Sequence, residues 1–289
     1  MAMRDVMDDP RAMAAVKAAL TEDVGEGDAT TLALVDPAAR ATGEILAREA
    51  CRVAGGTVAR AVLACIDPEL RVAVVVPDGL PVEPGGTILT IEGKAASILT
   101  AERTALNFMQ RMCGIATLTA RFVEAVQAHG TMILDTRKTT PNLRLFEKYA
   151  VTCGGGTNHR FGLYDRVLVK DNHRRLWQGG DPDRLDLAVA AAREAFPLLE
   201  VEIEVESVAE CQSALRGRPE WIMLDNMSCE MMRTCVALCR GVSKTEASGG
   251  ITLARAQEVA ATGVDAISLG CLTHSAPSID LALEWRAVQ

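Results

Sequence analysis

Residues 200–206 read EVEIEVE, and this short stretch decides the fold. Carboxylates alternate with β-branched aliphatic residues in the order Glu200, Val201, Glu202, Ile203, Glu204, Val205 and Glu206. A period of two is that of a β-strand, so the acids lie on one face and the aliphatic side chains on the other. If the aliphatic face packs under helices, the acids point into the interior of a barrel.

Carboxylates placed side by side in a protein interior cost free energy unless cations, hydrogen bonds or protonation compensate. A divalent metal ion is one candidate for that compensation. The cationic side chains that the sequence offers for it are Arg137, Lys138, Arg160 and Lys170. The alternative is an edge strand whose acidic face is in water, which the strongly apolar neighbouring strands argue against.

Similar short apolar runs recur every few tens of residues on both sides of this strand. The predicted strands are 132–135, 167–170, 201–205, 222–225, 244–247 and 266–269. Helical patterns separate them. A capping box at Ser207 and Glu210 begins one helix that Gly217 ends, and Gly263 ends another that opens near Thr252. Repeated βα units predict a parallel sheet, here an α/β barrel that is smaller than the eight-stranded type or incompletely closed.

The first hundred residues have a different pattern and predict a separate α+β domain. A helix is predicted at 11–20, with strands at 44–48, 71–76 and 87–91. A long helix over 97–128, interrupted at Gly114, links this domain to the barrel. The last residues, 279–288, have a helical pattern.

Composition excludes several classes of protein. The chain has 289 residues, a net charge of −8 and 3% aromatic residues, which disfavours binding to nucleic acid or anionic lipid. The nine cysteines contain no C-x-x-C pair, and the histidine spacing fits no zinc motif, so we expect reduced thiols and no structural zinc. The N-terminus lacks an apolar signal core, and no run approaches the roughly 18 apolar residues of a membrane span. We therefore expect a cytoplasmic protein.

Functional side chains of an α/β barrel gather at the carboxyl ends of its strands. Polar or glycine-rich residues follow the predicted strands at 135–138, 170–173, 225–226, 248–250 and 268–270. Taken singly, each of them has a simpler explanation, a solvated loop charge or a turn. The two small-residue loops, Ser248-Gly249-Gly250 and Ser268-Leu269-Gly270, together predict a phosphate site, because glycine permits close backbone approach to an anion.

Histidines and one further arginine complete the candidates. His159 and Arg160 follow a glycine-rich loop at 154–158, which can bring both side chains over the barrel mouth. His173 and His274 also lie in candidate site loops. Arg103 lies in a helical run, where an arginine is usually a surface charge.

At these residues the chain resembles quinolinate phosphoribosyltransferase, also called carboxylating nicotinate-nucleotide pyrophosphorylase. The resemblance runs from EDVGEGDAT (22–30) almost to the C-terminus. Its specific portions are AERTALNFMQRMCGIAT (101–117), DTRKTTPNLRLFEKYAVTCGGGTNHR (135–160), LVKDNH (168–173), VEIEVES (201–207), MLDN (223–226), EASGGITL (246–253) and ISLGCLTHSAP (267–277).

The resemblance implies an N-terminal α/β sandwich domain, 1–113, and an open, incomplete α/β barrel, 114–273. A C-terminal helix, 274–289, would pack back on the first domain. It also implies a homodimer, or a higher oligomer built from dimers, whose active site is shared between subunits. The implied reaction is that of quinolinate and phosphoribosyl pyrophosphate, with magnesium, to give nicotinate mononucleotide, pyrophosphate and carbon dioxide.

By the same resemblance, each candidate receives a role. Arg103 of the partner chain, Arg137, His159 and Arg160 would clamp the two carboxylates of quinolinate. Lys138 and Lys170 would interact with phosphoribosyl pyrophosphate and supply positive charge to the site. Glu204 and Asp225 would interact with the ribose and Mg²⁺. The 5′-phosphate would lie against Ser248, Gly249, Gly250 and Gly270. The remaining predicted substrate-binding residues are Thr136, Ser268, Leu269 and His274.

Two other functions stay open on sequence grounds. One is a related phosphoribosyltransferase or pyrophosphorylase with another acceptor, although a monocarboxylate does not need Arg103, Arg137 and Arg160 together. The other is a non-catalytic barrel that senses a nucleotide. That function would not explain the row of glutamates. Release of pyrophosphate distinguishes the enzymes from the sensor.

Overall fold

A computed structural model describes residues 5–177 and 180–288. The helices are α1 (Pro10–Val24), α2 (Ala29–Leu34), α3 (Gly56–Ile66), α4 (Ala95–Val126), α5 (Arg144–Cys153), α6 (Asp171–Leu176), α7 (Leu185–Ala195), α8 (Val208–Arg216), α9 (Cys229–Cys239), α10 (Leu253–Ala260) and α11 (Cys271–His274). The strands are β1 (Arg40–Ala47), β2 (Cys51–Arg52), β3 (Arg71–Val74), β4 (Pro81–Val82), β5 (Thr87–Lys94), β6 (Met132–Leu134), β7 (Val167–Val169), β8 (Val201–Val205), β9 (Trp221–Asp225), β10 (Lys244–Ser248), β11 (Ala266–Ser268) and β12 (Leu281–Val288).

The described chain divides into two compact units. The first comprises residues 5–120, 138–156 and 271–288, and the second residues 121–137 and 157–270. The sequence-based limits 1–113 and 114–273 concern domains that can fold on their own. The division into compact units does not test that property, so these limits remain predictions.

The first unit is built on a small antiparallel sheet with the strand order β12-β1-β5-β3. One face of β1 is buried and the other half-exposed along its length, as expected for a sheet covered on one side. Helix α4 follows β5 directly. Its buried residues include Ile98, Leu106 and Met109.

The C-terminal segment corrects one prediction. The expected helix over 274–289 is wrong, because Leu281–Val288 form strand β12, which pairs with β1 in the antiparallel sheet. Leucine, alanine and glutamate favour helices by intrinsic propensity, but an open sheet edge satisfies the backbone of the segment and overrides that preference. Only residues Cys271–His274 are helical there.

Gly114 corrects another prediction. Helix α4 continues through this residue without the expected interruption. A Cβ atom at Gly114 would lie 2.0 Å from the carbonyl oxygen of Pro277. The glycine therefore permits close packing of the C-terminal segment on the helix, and its role is space rather than chain flexibility.

The second unit contains a parallel sheet with the strand order β6-β11-β10-β9-β8-β7. All predicted barrel strands are confirmed, with ends that differ by one residue at most. Every residue of β8 from Val201 to Val205 is buried, and β8 pairs with β7 on one side and β9 on the other. The ladder ends at β6 and β7, which confirms an open α/β arrangement.

The predicted ends of α8 are observed, whereas α10 begins after Thr252 as predicted but ends at Ala260, before the predicted Gly263. Ser207 caps α8 by accepting a hydrogen bond from the Glu210 N–H, and Gly217 ends the helix. In the part of the chain that the structure describes, no helix combines the length and apolar character needed to cross a bilayer.

Candidate active site

Charged and small residues of the second unit meet at the carboxyl edge of the parallel sheet. Lys170 follows β7, Glu204 is the fourth residue of β8, and Asp225, Ser248 and Ser268 end the next three strands along the sheet. Parallel strands place their carboxyl ends at the same edge, which is where open α/β sheets bind ligands. The predicted clustering of these strand ends is therefore present.

An acidic cluster forms the centre of this edge. Carboxylate oxygens of Glu204, Glu206 and Asp225 lie within 4.8 Å of one another. Lys170 Nζ lies 2.8 Å from Glu204 Oε2, and Asn226 Nδ2 donates to Asp225 Oδ2 at 2.7 Å. Three carboxylates around one point suit a hard divalent cation or a developing positive charge. Glu206 belonged to the alternating run but was not among the predicted metal ligands.

The row of glutamates is divided by burial. Glu202 and Glu204 are buried, whereas Glu200 and Glu206, which flank the strand, are exposed. Because β8 lies between two neighbours, the alternative of a solvated edge strand is wrong. The interior acids therefore need partners within the protein.

Sequence analysis missed one partner of Glu202, which lies beside the closer contact from His159 Nε2 at 2.9 Å. Arg166 Nη1 lies 3.3 Å from Glu202 Oε2, and its Nη2 lies 2.7 Å from Glu200 Oε2. Arg166 follows no predicted strand and stands one residue before β7, so its sequence position carried no signal. Its side chain also lies over the ring of Trp221, at 5.3 Å from the centroid.

His159 is buried beneath the site. Its Nε2 lies 2.9 Å from Glu202 Oε2 and 3.4 Å from Glu246 Oε2. Glu246, a single acid in a predicted strand, was not a candidate. The backbone N–H of His159 donates to Asp135 Oδ1 at 2.8 Å, which fixes the start of the loop against β6.

Burial and the neighbouring carboxylates act in opposite directions on the pKa of the His159 ring. Burial lowers the pKa, but hydrogen bonds and charge attraction from Glu202 and Glu246 outweigh it and raise the pKa to about 9. The Arg160 N–H, however, donates to Nδ1 at 2.7 Å. Since Nδ1 cannot accept this bond and carry a proton, the described geometry is that of a neutral ring with its proton on Nε2.

Arg137 and Arg160 form a cationic pair in the same unit. Burial, followed by the positive charge of Arg137, lowers the pKa of Arg160, while Glu202 acts in the opposite direction. Both side chains are half-buried. Each guanidinium group can bind a carboxylate through two parallel hydrogen bonds, so the pair has the chemistry that an anion site requires.

The first glycine loop has the backbone that the sequence predicts. Gly249 and Gly250 have φ values of 96° and 58°, in the region that favours glycine. A Cβ atom on Gly249 would lie 2.2 Å from Asn226 Oδ1, so this residue must be small. The loop leads from Ser248 at the end of β10 to Thr252 at the start of α10.

The second small-residue loop is partly used by the fold. Ser268 and Leu269 are buried, and the Leu269 N–H donates to the Leu134 carbonyl at 2.9 Å. That amide is therefore not available to a phosphate. Gly270 is half-buried.

The remaining predicted residues are divided between the two units. Arg103 is exposed on α4, Lys138 is exposed before α5, and His274 is exposed at the end of α11, all in the first unit. His274 Nδ1 lies 2.6 Å from Ser275 Oγ. Thr136 lies in the second unit and is half-buried. His173 accepts the Lys170 N–H at Nδ1, so it caps α6.

Comparisons with known proteins agree with this geometry. Residues 28–113 match the family model described as the N-terminal domain of quinolinate phosphoribosyl transferase, and residues 115–284 match its C-terminal domain. The chain is 40% identical over 285 residues to quinolinate phosphoribosyltransferase [decarboxylating] 1b of Nicotiana tabacum, covering 93% of this chain and 81% of that protein. It is 39% identical to the probable nicotinate-nucleotide pyrophosphorylase [carboxylating] of a Synechocystis strain, with 92% and 89% covered.

Solved structures give the same result. The crystal structure of NadC from Streptococcus pyogenes superposes with a TM-score of 0.90 at 41% identity, covering 96% of this chain and 95% of that one. The nicotinate-nucleotide pyrophosphorylase of Francisella tularensis also reaches 0.90, at 34% identity, with 99% and 100% covered. Because both family domains match in order and relatives of this identity span nearly the whole chain, the chain belongs to the quinolinate phosphoribosyl transferase family and is a phosphoribosyltransferase.

Proposed function

We propose that this chain transfers the phosphoribosyl group of phosphoribosyl pyrophosphate to quinolinate, in a reaction of NAD biosynthesis. Carbon dioxide and pyrophosphate leave, and nicotinate mononucleotide is formed. The observation that carries the proposal is that a pair of arginines and a lysine-carboxylate cluster belong to one unit, at the carboxyl edge of its sheet. Family membership supports the same assignment.

The arginine pair accounts for the acceptor. Quinolinate carries two neighbouring carboxylates, and planar guanidinium groups bind carboxylates through paired hydrogen bonds. Arg137 and Arg160 supply two such groups, and Arg103 of a partner subunit would supply a third. A monocarboxylate such as nicotinate would leave part of this charge unpaired, which favours quinolinate over the acceptors of related enzymes.

The acidic cluster accounts for transfer of the sugar. As pyrophosphate leaves, positive charge develops at the anomeric carbon, and fixed carboxylates at Glu204 and Asp225 stabilise it. Lys170, held at 2.8 Å from Glu204, also offers positive charge to the departing phosphates, as Lys138 would. The glycine loop at Ser248-Gly249-Gly250 would hold the 5′-phosphate with backbone N–H groups.

Decarboxylation follows from the bond that is formed. The pyridine nitrogen attacks the anomeric carbon and becomes cationic. The electron pair of the bond between the ring and its 2-carboxylate can then move into the ring as carbon dioxide leaves, and a proton takes its place. Positioning by the arginines is the main demand that this step makes on the protein.

Magnesium is part of the proposal. The donor set of Glu204, Glu206 and Asp225 fits an ion that prefers oxygen ligands and is bound by few carboxylates together with substrate phosphates. When bound, Mg²⁺ would neutralise charge on the pyrophosphate.

The proposal also covers the assembly of the protein and its location in the cell. We propose a homodimer, or an oligomer built from dimers, in which Arg103 serves the partner subunit's site. Cytoplasmic location is also proposed, although relatives from Nicotiana tabacum and Oryza sativa are named as mitochondrial and chloroplastic.

One assay tests the proposed reaction. Purified protein is mixed with quinolinate labelled at the 2-carboxylate, phosphoribosyl pyrophosphate and Mg²⁺, and release of carbon dioxide and pyrophosphate is followed. We expect both products in equal amounts. Nicotinate is the control acceptor. Pyrophosphate release with nicotinate alone would assign another acceptor, and ligand binding without pyrophosphate release would indicate a sensor.

A further inference from the structure

Two buried carboxylates have no task in the proposed chemistry. Glu202 on β8 and Glu246 on β10 are each 0% exposed. Burial and the charge of Glu202 raise the pKa of Glu246, while His159 and Arg166 overcome the effect of burial on Glu202 and lower its pKa. Aliphatic residues of similar volume commonly serve stability as well as a buried ionic cluster does. Stability alone therefore does not account for these two buried acids, which points to a role in orienting other residues.

Both acids contact His159, which enters from the loop after α5. The backbone of the loop is fixed first, because Thr157 N donates to the Ile133 carbonyl at 2.8 Å and His159 N donates to Asp135 Oδ1. The ring then extends to Glu202 and Glu246 through Nε2. Its other nitrogen, Nδ1, accepts the N–H of Arg160. The ring thus connects the two carboxylates to the backbone of a site arginine.

A second connection leads from Glu202 to the side chain of Arg160. Arg166 is bound to Glu200 and Glu202, and its carbonyl oxygen accepts from Arg160 Nη1 at 3.3 Å. Between them the chain turns back on Asp165, whose carboxylate accepts the N–H groups of residues 161 and 162. The backbone and the guanidinium of Arg160 are therefore both held by groups that depend on Glu202.

We propose that Glu202 and Glu246 are positioning residues that act through His159 and Arg166 to orient Arg160 for the acceptor carboxylate. This inference rests on the proposed function, since Arg160 is assigned to quinolinate there. In this inference His159 acts by holding Arg160, since its Nδ1 accepts the Arg160 N–H and its Nε2 faces the two carboxylates. The two acids act on the affinity for quinolinate and leave the phosphoribosyl subsite unchanged.

The test compares two substitutions of one residue. Glu246→Leu removes one of the two carboxylates that Nε2 of His159 faces and leaves Glu202 at 2.9 Å, whereas Glu246→Gln keeps an oxygen at nearly the same place. We expect the leucine variant to raise KM for quinolinate about tenfold, as loss of one buried polar contact does, with KM for phosphoribosyl pyrophosphate unchanged. The glutamine variant is expected to retain most of the affinity. A control, Glu220→Leu, removes a carboxylate beside the amino end of β9 and should leave both constants unchanged.

Thermal unfolding separates this role from a structural one. A structural role alone predicts a lower melting temperature for Glu246→Leu and no separation between the two KM values, and that result would overturn the proposal. Equal quinolinate KM values for the leucine and wild-type proteins would do the same.

Crystal structures of the same variants give a readout that does not depend on activity. We expect the bond between the Arg160 N–H and His159 Nδ1 to be lost in Glu246→Leu and kept in Glu246→Gln. Arg160 in its original place in the leucine variant contradicts the inference. If wild-type protein fails to convert quinolinate, the proposed function fails, and these structures still decide whether Glu246 orients Arg160.

Discussion

Lys170 Nζ lies 2.8 Å from Glu204 Oε2, and the two residues come from adjacent strands of the parallel sheet. Glu204 is nearly buried, whereas the lysine side chain is 44% exposed. The pair therefore places one partly exposed cation beside a buried anion at the edge where open α/β sheets bind ligands. Such a pair can bind a phosphate with the cation and stabilise a developing positive charge with the anion.

Removal of either member should reduce turnover strongly. We expect Lys170→Ala and Glu204→Ala each to lower kcat/KM by about a hundredfold, the usual effect of removing one group that stabilises transition-state charge. Steady-state kinetics of both single variants and the double variant measure the coupling. The matched control is Lys94→Ala, which breaks an exposed pair with Glu69 at 3.6 Å. Near-normal turnover in both single variants would show that the roles are wrongly allocated.

The metal proposal gives Glu206 a measurable role. Glu206→Gln weakens the charge of the three-carboxylate cluster without changing its shape. We expect the Mg²⁺ concentration for half-maximal activity to rise several-fold, because fewer charged ligands bind the ion more weakly. Direct titration of Mg²⁺ by calorimetry provides a second measurement. Equal Mg²⁺ dependence in the variant and wild type would remove Glu206 from the ligand set.

Mixed oligomers test whether Arg103 serves a partner's site. Arg103→Ala and Arg137→Ala should each abolish activity alone. If the sites are shared, a mixed dimer contains one site with both changes and one intact site, so random mixing restores about a quarter of wild-type activity. Denatured and refolded mixtures are assayed against each variant treated alone. Absence of any recovery, in mixtures shown to contain hybrids, would place Arg103 in its own subunit's site or outside the site.

Sequence patterns predicted the parallel sheet because short β-branched runs alternate with helical patterns along this part of the chain. Strand β12 was not predictable in that way, since its strand state depends on the open edge of β1. Intrinsic propensity therefore predicted a helix where pairing with β1 gives a strand.

The site was predictable to the extent that strand ends define it. Lys170, Glu204 and Asp225 follow from the order of strands alone. Glu246 and Arg166 did not, because their importance arises from contacts with residues distant in sequence. A single acid within a predicted strand is the local signal that Glu246 offers.

Asp28, within the family motif EDVGEGDAT, predicts a pH dependence of stability. Its carboxylate caps α2, and hydrogen bonds from the Thr31 hydroxyl and then the Thr31 N–H lower its pKa. A pKa lower in the folded than in the unfolded state means that the charged carboxylate stabilises the fold above pH about 4. This contribution is lost as the pH falls through the folded-state pKa.

Urea denaturation of Asp28→Ala measures this effect. We expect the variant to lose about 1 kcal/mol of unfolding free energy at pH 7, as for other N-cap deletions. The difference from wild type should shrink as the buffer is made more acidic than pH about 4. Glu26→Gln changes a nearby exposed carboxylate and serves as the control. A deficit that is independent of pH would assign the effect of Asp28 to packing rather than charge.

Gly249 makes the sharpest prediction about the phosphate loop. Its φ of 96° is strained for any other residue, and a Cβ atom there would lie 2.2 Å from Asn226 Oδ1. Asn226 in turn donates to Asp225, so Gly249→Ala should disturb the loop and the acidic cluster together. We expect KM for phosphoribosyl pyrophosphate to rise at least about tenfold, since several backbone N–H groups would no longer point at the phosphate.

Gly241→Ala is the matched control for Gly249→Ala, because it separates backbone strain from steric contact. Gly241 also has a positive φ, 75°, but no atom lies within 4 Å of its would-be Cβ. Both alanine substitutions should lower the free energy of unfolding by about 1–2 kcal/mol, because each forces alanine into a left-handed backbone conformation. Only the change at Gly249 should alter substrate affinity, as measured by steady-state kinetics at a temperature where both variants are folded. Equal effects of the two substitutions on KM would mean that the loop holds no phosphate.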